Sequence, residues 1–125
     1  MGLLDGIMGN ASEIDVATVA EEFKQILGPG ERSEKAYQLI RDTIVFTDKR
    51  LIYVDRQGIS GKKVEYQSIP YKNIVRFSVE TAGSLDLDAE LKIYVSGNPA
   101  PIQLKFNKKL NIFTVQGVLA SYVLP

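Results

Sequence analysis

The stretch TIVFTDKRLIYVD, Thr43 to Asp55, sets four charged or hydroxylated residues between two apolar runs. Two strands folded back on each other at Thr47-Asp48-Lys49-Arg50 would produce this pattern. The competing reading makes those four residues a chemical site. A tight corner needs short polar side chains, and Asp48 is suited to hydrogen-bonding the backbone just ahead of it. Arg50 sits where it can pair with Asp48 or Asp42, and Thr47 suits a strand end. A nucleophile at Thr47 or Lys49 would have no histidine base behind it, because the chain contains none. The stretch therefore reads as a structural turn.

Outward from that corner, a period of two recurs on both sides, as expected for half-buried strands. In KVEYQS, Val64, Tyr66 and Ser68 alternate with Lys63, Glu65 and Gln67; in RFSVET, Phe77, Val79 and Thr81 alternate with Arg76, Ser78 and Glu80. LDLDAELKIYV places Leu85, Leu87, Ala89, Leu91, Ile93 and Val95 on one side, and PIQLKF does so with Ile102, Leu104 and Phe106. With KAYQLIR, TIVF and RLIYVD these make about seven strands, punctuated by turn signals at RQGISGKK, TAGS and SGNPAP. One-sided alternation predicts antiparallel strands around one core, hence a barrel or sandwich.

Helical patterns flank the strands. Ser12 is placed to cap a helix with Asp15 three residues on, and Val16, Val19, Ala20, Phe23 and Leu27 recur at helical spacing. Gly28-Pro29-Gly30-Glu31 ends it. Before it, Leu3, Leu4, Ile7 and Met8 form a short apolar face among three glycines, a segment that needs a surface to lie on. At the far end, Asn107 is positioned to cap a helix carrying Leu110, Phe113, Gly117, Leu119 and Tyr122. The organisation expected is a helical arm over residues 1–30 and a barrel with its C-terminal helix over residues 31–125, one domain in all.

Composition narrows the chemistry. The 125 residues are 45% hydrophobic and 24% charged, ordinary for one globular domain. With no cysteine and no histidine, cysteine nucleophiles, serine–histidine dyads and the usual zinc sites are excluded, so no enzyme activity, metal or cofactor is expected. No apolar run approaches membrane-spanning length, the N-terminal residues lack the pattern of a basic leader followed by an apolar core and a small-residue cleavage site, and a cytoplasmic location is expected. Residues 1–34 carry a net charge of −5 and residues 35–125 a net charge of +5. Either the two parts attract, within a chain or between copies, or they are two solvated faces.

Three strings, MGLLDGIMGNASEID, LGPGE and IRDTIVFTDKRLIYVDRQGISGKKVEYQSIPYKNIVRFSVETAGSLDLDAEL, resemble the bacterial pleckstrin-homology-like family across almost the whole chain. The resemblance implies a mainly β fold, a seven-stranded, strongly bent antiparallel barrel capped by a C-terminal helix and preceded by a helical segment. It also implies ring-forming homo-oligomers, typically five-fold, without established enzymatic activity. Eukaryotic relatives bind inositol phosphates through basic residues around the first hairpin. Here that connection has only Arg41 and Asp42 at its tip, which puts phosphoinositide binding in doubt.

The substitute basic set is Arg56, Lys62 and Lys63, with Lys72 further on. Phosphate recognition needs converging donors, so these bases read first as solvated. Asp86, Asp88 and Glu90 share one strand face, too widely spaced to converge on one metal ion, and read as a solvated or subunit-facing stripe. Together with Leu3, Leu4, Ile7 and Met8 they are the expected oligomer contacts. The function expected is a non-catalytic binding and assembly module whose main partner is itself, in a closed homo-oligomer that binds another protein or a small ligand. The alternative is peripheral binding to anionic lipid or phosphoinositide through Arg56, Lys62, Lys63 and Lys72, helped by residues 3–8. Nucleic acid is not expected as a partner, because zero net charge and no tryptophan suit such a groove poorly.

Overall fold

The computed structural model describes residues 13–81, 89–106 and 111–125. In chain order the elements are α1 (Val16–Glu22), β1 (Ser33–Gln38), β2 (Thr43–Thr47), β3 (Arg50–Gln57), β4 (Lys63–Pro70), a 3-10 turn (Tyr71–Asn73), β5 (Ile74–Glu80), β6 (Ala89–Val95), β7 (Ile102–Phe106) and α2 (Ile112–Val123). The strands form two antiparallel sheets, β1-β2-β3-β4 and β5-β6-β7, each a meander of neighbours in sequence. The seven strands and the terminal helix follow the pattern read from the sequence. The sheets, however, are not closed into one continuous barrel.

Every residue of β2 is buried, because the first sheet is covered on both faces. On the inner face Tyr37, Ile44, Phe46, Leu51 and Ile69 meet Leu91, Ile93, Leu104 and Phe106 of the second sheet and Ile112, Val115 and Leu119 of α2. On the outer face Val45, Ala36, Ile52 and Val54 form a second apolar cluster with Val19 of α1 and Phe23 just after it. Register puts Val45 opposite both Ala36 and Ile52, so this outer stripe runs straight across three strands. Such a double-faced sheet reads as a continuous apolar run, which is why TIVF does not alternate.

The helical arm is shorter than its periodicity suggests. α1 spans seven residues, its N-cap is Asp15, whose carboxylate accepts the Ala17 N–H at 3.4 Å, and Phe23 is its C-cap. Ser12 lies outside the described residues and the helix does not reach Leu27. Upstream, the Ile14 N–H donates to the Ala36 carbonyl at 2.9 Å, adding a single bridge to the β1 edge. At the other end Asn111, not Asn107, caps α2, with its side chain accepting the Phe113 N–H at 3.0 Å. Asn107 and Leu110 fall outside the described residues. Phe113 is 60% exposed, so the buried stripe of α2 is Ile112, Val115 and Leu119 rather than the set containing Phe113.

In β4, Val64 packs on the outer cluster and Tyr66 stands edge-on to Phe23, with ring centroids 6.1 Å apart. Only Ile69 enters the inner core from that strand. The apolar phase of KVEYQS therefore faces the N-terminal segment, not the core between the sheets.

Candidate functional site

Thr47-Asp48-Lys49-Arg50 turns β2 into β3, and the side chains of Thr47, Asp48 and Arg50 are engaged within the fold. The fully buried Thr47 hydroxyl donates to a Glu31 carboxylate oxygen at 2.6 Å and accepts the N–H groups of Lys49 at 3.1 Å and Arg50 at 2.9 Å. Asp48 accepts the Arg32 N–H at 2.8 Å and returns its own N–H to the Arg32 carbonyl at 3.0 Å. Arg50 pairs with neither Asp48 nor Asp42. Its guanidinium meets both oxygens of Glu31 at 2.9 Å, donates to the Ile26 carbonyl at 2.7 Å and to the Ser68 hydroxyl at 2.5 Å. The Arg50 bond holds the Glu31 carboxyl at about 2, well below its ordinary value, with the Thr47 hydroxyl and the Gly28 N–H adding to the effect against the opposing cost of burial. Asp42 instead accepts from the Tyr53 hydroxyl at 2.8 Å and the Arg56 N–H at 3.0 Å.

Nearby, Tyr71 donates to the Thr47 carbonyl at 2.6 Å and stacks on Tyr122 of α2, centroids 4.7 Å apart. Tyr122 also lies over Phe46 and bonds Glu34. Burial is the main cause that raises the titration of both tyrosines. These contacts lock α2 onto the first sheet, a structural role.

The charge split is settled within the chain for three pairs: Glu13 with Lys35 at 3.3 Å, Glu22 with Arg56 at 3.9 Å, and Glu31 with Arg50. Arg56 is further engaged by the Thr43 hydroxyl at 2.8 Å, so it belongs to the sheet rather than to an open basic loop. Lys62 and Lys63 are exposed where β4 begins, whereas Lys72 follows the opposite end of that eight-residue strand. The structure does not bring those four bases together.

It assembles a different group at that first end. The β1–β2 connection has four residues, 39–42, rather than two. Arg41 reaches across to the Gly58 carbonyl, and the Ile40 N–H donates to the Lys105 carbonyl at 3.3 Å. Gly58, at φ +76°, lets the β3–β4 loop turn so that Ile59 stands fully exposed at its tip. Ile40 is also exposed.

Glu90 pairs with Lys92 at 3.8 Å, and Lys92 also meets Glu80 at 3.6 Å. Asp86, Asp88, Leu3, Leu4, Ile7 and Met8 lie outside the described residues. Among the described residues no cluster of three acids has metal-binding geometry, and no helix is long and apolar enough to cross a membrane.

Sequence reasoning missed a concave feature in the second sheet. A groove of about 770 Å³ runs between the start of β5 and the β6–β7 turn, lined by Val75, Arg76, Tyr94, Val95 and residues 96–99. The Arg76 guanidinium lies 4.0 Å from the centre of the Tyr94 ring. A bulge between Ile74 and Arg76 leaves Val75 without a β6 partner and 65% exposed. Arg76 and Tyr94 are visible in sequence only as a strand residue each; their meeting depends on a register that no local signal specifies.

The architecture has solved counterparts. A crystal structure of a pleckstrin homology domain from Shewanella amazonensis superposes with a TM-score of 0.83 at 49% identity, covering 98% of each chain. A Shewanella loihica protein with a pleckstrin-homology domain gives 0.79 at 44%, covering 90% of this chain and 97% of that one. In sequence, YjqA of Bacillus subtilis is 58% identical over 97% of this chain and 98% of its own length. YozO of the same organism is 36% identical over 86% and 91%. The model of the bacterial PH domain matches residues 2–123, from the N-terminal segment through both sheets to the end of α2. Two meander sheets closed over by a terminal helix, matched over that length, place this chain in the bacterial PH domain family.

Proposed function

We propose that this chain is a non-catalytic, cytoplasmic binding and assembly module, which forms a closed homo-oligomeric ring and binds a protein or small ligand through that assembly. The observation that carries this reading is the outer edge of β4. It runs for eight residues with no strand partner among the described residues and exposes Tyr66 beside Lys63, Glu65 and Ser68. An unpaired edge of that length is a template for another chain, and cyclic symmetry pairs each edge once without leaving an open end. Gel filtration with light scattering is expected to give a single multiple of 13.9 kDa, about 70 kDa for the five-fold ring. A clean monomer at micromolar concentration would remove the proposal.

Peripheral binding to anionic lipid is the second reading, favoured by the exposed Ile40 and Ile59 tips beside Arg41, Lys62, Lys63 and Lys105. Burying one isoleucine contributes roughly 1.5–3 kcal/mol, and each base near an acidic surface about 1 kcal/mol. Co-sedimentation with phosphatidylserine vesicles is expected at low salt, weaker at physiological salt, and lost in Ile59→Glu. No pelleting at either salt ends this reading.

A further inference from the structure

We infer that the groove between β5 and the β6–β7 turn is a binding site for a carboxylate attached to a small apolar body, with Arg76 as its anion contact. This rests on the binding half of the function proposed above and is independent of subunit number.

Arg76 is the reason. Elsewhere in the fold Lys24, Lys35, Arg50, Arg56 and Lys92 are matched to acids. Arg76 sits on a strand, with no ion pair or side-chain hydrogen bond among the described residues. Its guanidinium is held against the Tyr94 face. A guanidinium stacked on a ring has one face occupied and its edge of N–H donors free, which is the geometry that grips a carboxylate with two parallel hydrogen bonds. The cation also costs less conformational entropy to use, because stacking already orients it.

The rest of the groove matches the other end of such a ligand. Val75, Val95 and Pro99 line it with apolar surface. Ser96 and Asn98 add neutral polar groups, with the Asn98 side-chain oxygen occupied by the Ala100 N–H at 3.1 Å. Gly97, at φ +83° with nothing within 4 Å of where a Cβ would be, leaves the rim open. One cation with neutral neighbours balances a single negative charge, whereas phosphate sites gather several donors and more positive charge.

The test is an amide-resolved NMR titration of the full chain with hexanoate, hexylammonium, hexanol and inorganic phosphate, alongside a capped tripeptide with a central glutamate between two valines. Hexanoate or the tripeptide is expected to shift the amides of Val75, Arg76, Ser96, Gly97 and Asn98, saturably, with hexylammonium and hexanol inert. The tighter of the two positive probes identifies the source, free acid or acidic side chain of a protein. Arg76→Ala, at an exposed position, is expected to weaken binding roughly tenfold or more while leaving other amides in place. Arg76→Lys recovers part of it, and Tyr94→Leu loses severalfold by releasing the guanidinium. Shifts elsewhere, equal response to hexylammonium, phosphate binding in place of carboxylate, or an unaltered affinity in Arg76→Ala each overturn the assignment. A failed mass measurement leaves this titration interpretable, and a failed titration leaves the ring intact.

Discussion

Replacing Glu31 with Gln is expected to cost about 3 kcal/mol of folding stability at neutral pH, the value of a carboxyl that titrates at about 2 instead of 4.5. The Glu31 side chain is only 3% exposed and carries both bonds to Arg50 together with the Thr47 hydroxyl and the Gly28 N–H. Gln retains the shape and removes the charge, so Arg50 is left half-buried with its partner gone, the situation in which breaking one side of an ion pair is most damaging. The pH dependence follows from the lowered titration. The contribution is complete above the unfolded carboxyl's value near 4.5 and drains away as pH falls through about 2. Urea midpoints at pH 7, 4 and 2.5 should therefore fall steeply in the parent chain and more gently in Glu31→Gln, the two curves converging in acid. Equal midpoints at pH 7 would mean the pair contributes nothing net. Arg50→Lys separates charge from geometry, because an ammonium cannot span both Glu31 oxygens, the Ile26 carbonyl and the Ser68 hydroxyl together.

That ion pair also marks the limit of what the sequence discloses. The corner at Thr47–Arg50 is legible because turn chemistry is local, and the strands of the second sheet are legible because one face is wet. Arg50 and Glu31 are nineteen residues apart, and Asp48 and Asp42 are nearer in sequence, yet proximity along the chain is a poor guide across a hairpin. In β4 the period of two is visible in the sequence but what each face meets is not: Val64 and Tyr66 lie toward the outer cluster and Phe23, and Ile69 alone reaches the inner core, contacts set by the register with β3 rather than by the local pattern. The caps moved by three or four residues, from Ser12 to Asp15 and from Asn107 to Asn111, since several hydroxyl, amide and carboxylate residues compete to end each helix. The Arg76–Tyr94 groove could not be found this way, because a bulge at Val75 decides which residues meet.

Removing residues 1–30 is expected to abolish cooperative folding of the remainder, although the strands, both sheets and the Glu31–Arg50 pair all lie beyond that cut. The segment supplies Val19 and Phe23 to the outer cluster, with Ile14, Ile26 and Leu27 packed against it. At roughly 1.5–3 kcal/mol for each fully buried side chain, and less for the partly buried ones, the loss is on the order of 5–10 kcal/mol, comparable to the whole stability of a typical domain. It also uncovers Ala36, Val45, Ile52 and Val54 as one apolar stripe across β1, β2 and β3, a surface prone to association. The fragment should bind a hydrophobic dye, show a broad thermal transition and precipitate near neutrality. Phe23→Ala in the full chain is the graded version, expected to lose about 3–5 kcal/mol while keeping the fold. A fragment that melts sharply at the parent temperature would show that residues 31–125 are a domain by themselves and that the outer cluster is ornamental. The converse, a fragment that collapses, makes the arm part of the core: the first sheet is then a middle layer between two covers, and the fully apolar β2 is its consequence.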